Sequence, residues 1–327
     1  MGKTKAVTIY RLDGTSFVTE LEKKKIKFTK NDFILIGMAS LSLIFLAVFA
    51  YAPLYGLILA FKEDRYINIM QNITYAKPVQ FKHFENFLTD PEFKNIMTNT
   101  LGLNILQLLI NFPAPIIFAI LLSELLSDKF KKFVQSVTFF PHFISWVIFG
   151  GIFLNLLDYN TGIVNTLLVN IGLVKDPVDI LGDPKYFWAL IIITSILKGL
   201  GWGSVIYVAA ISSIPKDIYE AAAIDGANRW HKIRFITVPY IAPTITLFFI
   251  LSVSGLLNNG IDHLWVFQNT NNIERSEVLD TFIYKYGIPN WQYGYATAVG
   301  LFKSVVSFIL LILGNAICKK ATGKGIY

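Results

Sequence analysis

Long apolar runs dominate the chain. A bilayer core needs about 20 mostly apolar residues per helix. Six stretches meet that length, at about 33–61, 96–122, 133–157, 187–211, 241–261 and 295–317. The first is long and contains Pro53, so it is expected to tilt or to bend near that residue. It starts after 32 residues, is too long for a cleaved leader and has no small-residue cleavage site after it, so it is expected to stay in the mature protein. Pro113 and Pro115 interrupt the second stretch and are expected to kink it, which opens room at mid-membrane. The pattern therefore predicts an all-α, polytopic fold of six transmembrane helices. Residues 1–32 form a tail before them, 33–317 the membrane domain and 318–327 a second tail.

The connecting segments fix an orientation. Both tails, with the segments after spans two and four, hold 18 of the 29 Lys and Arg. The opposite connections hold nine, together with 13 of the 22 acidic residues. The positive-inside bias predicts cytoplasmic termini. The outer connections, at roughly 62–95, 158–186 and 262–294, are long enough to carry structure of their own. Lys198 and Lys303 fall inside spans, where an ammonium is costly, and each is expected to pair, snorkel or serve function.

Composition adds exclusions. With 54% hydrophobic and 16% charged residues the chain is neither disordered nor an ordinary soluble domain. The net charge of +7 is a matter of topology, so no nucleic-acid partner is expected; membrane lipid is. Cys318 is the single cysteine, and His83, His142, His231 and His263 are scattered, so no metal site is expected.

One connection differs from the rest. Residues 212–239 read SSIPKDIYEAAAIDGANRWHKIRFITVP. Ser213 and Pro215 suit a helix start, Glu220 to Ala223 favour helix, and Asp225-Gly226 can turn the chain. A short helix, a glycine turn and a second helix, with small side chains on the cytoplasmic side, are suited to docking. Glu220, Asp225 and Arg229 could fix the register of a partner.

This segment resembles the EAA loop of bacterial ABC-importer permeases, roughly E-A-A-x-x-D-G-A and, about a dozen residues later, I-x-L-P. Glu220, Ala221, Ala222, Asp225, Gly226, Ala227, Ile236 and Pro239 match, with Val238 in place of the usual leucine. Residues 53–62 and 298–304 resemble the ends of the first and last helices of polysaccharide-type, LplB-like sugar permeases, so the likeness runs from about residue 32 onward.

The resemblance implies a type I importer permease of the MetI-like fold in a bacterial plasma membrane. It implies a second, related permease subunit, two ATPase subunits that each grip one EAA loop, and an extracytoplasmic solute-binding protein. The substrate implied is an oligosaccharide. Such a chain does no chemistry and binds no cofactor; ATP and magnesium belong to the ATPase. The residues agree, since Gly323-Lys324 lacks the other positions of a phosphate-binding loop. Neutral polar and aromatic residues of the spans would suit a glycan path: Asn104, Gln107, Asn111, Asn155, Trp202, Asn258 and Asn259, with Asp262 and Trp265 beyond span five and Lys198 and Lys303 within spans. Gly199, Gly201 and Gly203 are expected to allow close helix packing. A secondary transporter or channel without an ATPase is the alternative reading, and it leaves the 212–239 segment unexplained. A membrane sugar transferase would need an acidic or histidine cluster that is not seen.

Overall fold

The computed structural model describes residues 5–10, 16–21, 29–323 and 325. Two compact units follow each other along the chain, 1–56 and 57–327. The first unit contains β1 (Lys5–Tyr10) and β2 (Ser16–Leu21), an antiparallel pair in which Lys5 faces Leu21. Much of the tail thus lies outside the described residues. Helix α1 (Lys30–Leu46) starts at a reciprocal cap: Asp32 N donates to the Thr29 hydroxyl and Thr29 N to the Asp32 carboxylate. A π-helical turn, Ala47–Tyr51, and a 3-10 stretch, Ala52–Phe61, continue it. The disruption expected near Pro53 is therefore a change of helix type, because proline offers no N–H to the α ladder.

In the second unit α2 (Ile69–Tyr75) and α3 (Lys82–Leu88) give the connection after span one the structure expected of it. Span two is α4 (Phe93–Ile110) and α5 (Pro113–Ser123), with Pro113 opening the second helix where a missing N–H matters least. The third apolar stretch departs from expectation. It is not one helix but α6 (Asp128–Phe139), a 3-10 turn (Phe140–Phe143) and α7 (Trp146–Leu156), with a bend of 101° at the break. Pro141 lies in the turn and Ser145 caps α7 through Ile148 N, so the chain stops and restarts within the third apolar stretch. The described residues hold five helices long and apolar enough to cross a membrane, or six if the bent pair is one span.

After α8 (Ile163–Asn170) comes α9 (Pro184–Ser212), the fourth span. Its most apolar window is 39% buried against 0–17% for the other long helices, so it is the central strut. The buried face repeats every three or four residues, through Phe187, Ile191, Thr194, Lys198, Gly201, Ser204, Tyr207 and Ile211. Of the three glycines, Gly201 faces the backbone of α6, where a Cβ would overlap the Thr138 carbonyl; a Cβ on Gly203 would touch the Pro115 ring, and one on Gly199 would meet nothing. Close packing by small residues is the main attraction left between helices in lipid, where apolar surface gains little from leaving the solvent.

The remaining elements are α10 (Lys216–Ile224), α11 (Arg229–Lys232) with a π turn (Ile233–Thr237), and α12 (Val238–Ser254), the fifth span, which ends short of the expected 261. Then α13 (Ile261–Phe267), α14 (Ile273–Ser276) and α15 (Leu279–Gly287) form the last long connection, and α16 (Tyr293–Thr322) is the sixth span. Asn99 on α4 donates to the carbonyls of Glu274 and Glu277, and Asp64 accepts from Gly294 N and Tyr295 N at the start of α16. Burial raises the Glu277 carboxyl above the ordinary range. Lys303 of α16 forms an ion pair with Asp280 of α15, and Asp280 also accepts from Asn259 N at 2.8 Å.

Two sets of variants test this packing. Gly201→Ala should lower the melting temperature of the detergent-purified protein by the equivalent of about 1–3 kcal/mol of overpacking, and Gly199→Ala should leave it unchanged. Lys303→Met, which strands the Asp280 carboxylate, should destabilise by about 3 kcal/mol, and adding Asp280→Asn should restore part of the loss, read from the same melting curves.

Candidate functional site

A cavity of about 850 Å³ lies between spans two, four and five. Span two contributes Asn104, Gln107 and Asn111 at successive turns around its proline break, and span four contributes Trp202 and Tyr207. Ser252 and Asn258 close it from span five and the loop that follows. The wall is thus carboxamide, hydroxyl and aromatic, with Pro115, Phe112 and Phe248 as apolar floor. Asn104 spends one N–H on the Thr100 carbonyl, whereas the Asn111 side-chain oxygen is buried with no partner. Trp202 is half exposed. It stacks on His142 at 4.3 Å and 4° and lies 5.4 Å from Phe139, so the 3-10 turn of the broken span backs the indole.

The 212–239 segment lies at the far end of the same spans. Pro215, not Ser213, precedes α10; Ser213 instead ends α9. Glu220, Ala221, Asp225 and Arg229 are exposed, and Ala222 and Ala227 half-buried. Gly226 has φ +78°, a left-handed turn in which a side chain is strained. Ile224, Trp230 and Phe235 are 88%, 65% and 66% exposed, a surface more apolar than a free polar loop would carry. Pro239 lies in the first turn of α12. The Tyr219 hydroxyl pairs with that of buried Thr237 at 2.8 Å and ties α10 to the start of span five. Below it Ile214, Ile211, Tyr207, Ile241 and Ile116 form one packed cluster, against which Tyr219 and Phe112 lie. Tyr207 and Phe112 line the cavity, so one continuous core joins the exposed segment to the cavity wall.

Residues 94–322 match the family described as "Binding-protein-dependent transport system inner membrane component". The chain belongs to this family. The permease is 36% identical to protein LplB of Bacillus subtilis (strain 168) over 87% of its own length and 88% of that protein. It is 37% identical to the polygalacturonan/rhamnogalacturonan transport system permease protein YteP of the same organism, over 87% of each. Among solved structures it superposes on a chain of a bacterial alginate ABC transporter, in complex with a periplasmic protein that carries an alginate pentasaccharide. That match has a TM-score of 0.81 and 34% identity, and covers 91% of the permease and 98% of that chain. The chain is thus the membrane permease of an ABC importer, a multi-pass component of a binding-protein-dependent transport system.

Of the residues expected along a glycan path, the permease brings Asn104, Gln107, Asn111, Trp202 and Asn258 to the cavity and places the others elsewhere. Asn155 of α7 donates to the Gly151 carbonyl of its own helix. Lys198 is buried against the broken span, and Lys303 is neutralised by Asp280. Asn259 is half-buried beside Asp280, with both side-chain polar atoms unpartnered. Asp262 is exposed on α13, and Trp265 packs edge-on against Tyr284. Tyr207, Ser252 and the Tyr219–Thr237 pair escape sequence reasoning. A tyrosine in an apolar span reads as packing, and a contact 18 residues apart has no local signature. His263 is buried, hydrogen-bonded to Thr194 and stacked at 3.7 Å on Trp146.

Removing the Tyr219 hydroxyl should loosen α10 without unfolding the bundle. Tyr219→Phe should raise hydrogen exchange in residues 216–224 by the equivalent of about 1 kcal/mol and leave exchange in span two unchanged.

Proposed function

We propose that the permease forms one half of an oligosaccharide importer. Its cavity belongs to the translocation path, and residues 212–239 are the docking segment for a separate ATPase subunit. A related permease subunit supplies the other half, two ATPases burn ATP with magnesium, and a solute-binding protein delivers the glycan. Both termini and the docking segment lie on the cytoplasmic side, in agreement with the Lys and Arg bias.

The carrying observation is the continuity of the cavity with the docking segment through the Tyr207–Ile211–Ile214–Ile241 cluster. A close-packed core transmits a displacement instead of absorbing it. A partner that shifts α10 would, through Tyr219, Thr237 and Ile214, shift the wall of the path. Nucleotide binding and hydrolysis then switch the path between two states by differential contact with each. The substrate class follows from the wall chemistry. Carboxamides and hydroxyls exchange hydrogen bonds with sugar hydroxyls, and an exposed indole face takes the C–H face of a pyranose. Relatives whose names specify polygalacturonan, rhamnogalacturonan or arabinooligosaccharide transport support the same class.

The test is co-expression with the partner permease and the ATPase. Glu220→Ala and Gly226→Asp should each cut ATPase co-purification and ATP turnover at least tenfold. Trp202→Ala should leave co-purification intact and reduce oligosaccharide uptake. Normal turnover in both loop variants would sink the docking role, and uptake of amino acids or metal ions in place of glycans would sink the substrate class.

A further inference from the structure

The break in the third span leaves backbone oxygens in a region where lipid offers no donor. Lys198 answers three of them. Its ammonium donates to the carbonyls of Pro141 at 3.0 Å, His142 at 2.8 Å and Ile144 at 2.5 Å. Three acceptors converge on one nitrogen, and only the protonated amine has three N–H bonds to give them. The ring of Trp146 lies 5.2 Å from the same nitrogen and that of Phe149 5.9 Å, and both offer a negative π face. The residue is 7% exposed and does not line the cavity. One turn along the same face of α9 is Trp202, stacked on His142, whose carbonyl Lys198 holds. Four residues back, Thr194 bonds His263, which stacks on Trp146 just beyond the break.

We propose that Lys198 is a positioning residue for translocation. It fixes the geometry of the 140–145 break and, through His142, the attitude of the Trp202 indole in the substrate path. The lysine touches no glycan. Its three donors are spent on backbone, so it contributes no free cation to a passing carboxylate. Without it the turn would seek other donors and draw His142 away from Trp202. The wall would then lose its defined face while the docking segment stayed in place. The consequence is slippage: nucleotide cycles that no longer carry a sugar with them.

This rests on the reading of the cavity as a glycan path, and the experiment keeps the two separable. The full importer is reconstituted in proteoliposomes with its binding protein. Ladders of oligogalacturonates and of neutral arabino-oligosaccharides serve as probes, and the number of saccharides taken up per ATP hydrolysed is measured. Wild-type uptake of neither ladder would overturn the glycan reading, and the lysine proposal with it. With wild-type uptake established, Lys198→Met should lower the uptake-to-ATP ratio about tenfold while the assembled complex still hydrolyses ATP. Lys198→Gln, which retains two donors, should fall between. The double variant Lys198→Met/Trp202→Ala should be no worse than Trp202→Ala alone, because both changes disable one wall. A wild-type ratio in Lys198→Met, a parallel fall of uptake and ATP turnover, or additive losses in the double variant would overturn the proposal. Failure of both single lysine variants to assemble would assign Lys198 to folding alone and overturn it too.

Discussion

Inside a bilayer every backbone N–H and C=O must find its partner within the protein, and the architecture answers to that rule. Where the rule is met by uninterrupted helix, as in α9 and α16, nothing further is required. Where it is broken, at the 101° bend of the third span, the bundle has to bring in a donor from elsewhere. The lysine that does so sits on the most buried helix of the bundle, and the residues around it follow from its placement. Gly201 lets α6 approach closely enough for the turn to reach the ammonium, and Trp146 and Phe149 cover it. A charge in the membrane is tolerated here because all three of its hydrogens are engaged.

The same helix meets three different surroundings along its length. Its upper half packs Phe187, Leu190 and Ile191 against Leu264, Phe267 and Val278 of the last long connection, a region with no opening to the cavity. Its middle carries the lysine and the tryptophan. Its last turns, Tyr207 and Ile211, belong to the cluster that reaches the 212–239 segment. A single rigid element thus meets the last long connection, the cavity and the 212–239 segment, which is why small movements at one end have somewhere to go.

Much of this was legible in the sequence. Apolar run length placed the spans to within a few residues at most ends. The 212–239 segment carried enough spaced residues to suggest the family before any coordinates. The break in the third span was not legible, because 133–157 is long and mostly apolar and Pro141 alone does not separate a kink from a full stop. Trp202, Asn104, Gln107 and Asn111 could be named from their chemistry, since polar and aromatic residues stand out in an apolar run. The carboxamides that face elsewhere, Asn155 and Asn259, stand out just as well. Composition tells which residues are unusual in a span and leaves open which side of the helix they occupy. Lys303 could be marked as costly, yet its partner Asp280 lies 23 residues earlier in a connection whose fold decides the meeting.

That pairing bears on how the chain is built. A lysine in a helix entering the bilayer carries an insertion penalty of about 3 kcal/mol. Its counter-charge precedes it in the chain, on a short helix tied to the Asn259 backbone. The ion pair thus couples the last span to the connection before it, because the lysine of α16 is compensated only when α15 holds its carboxylate in place.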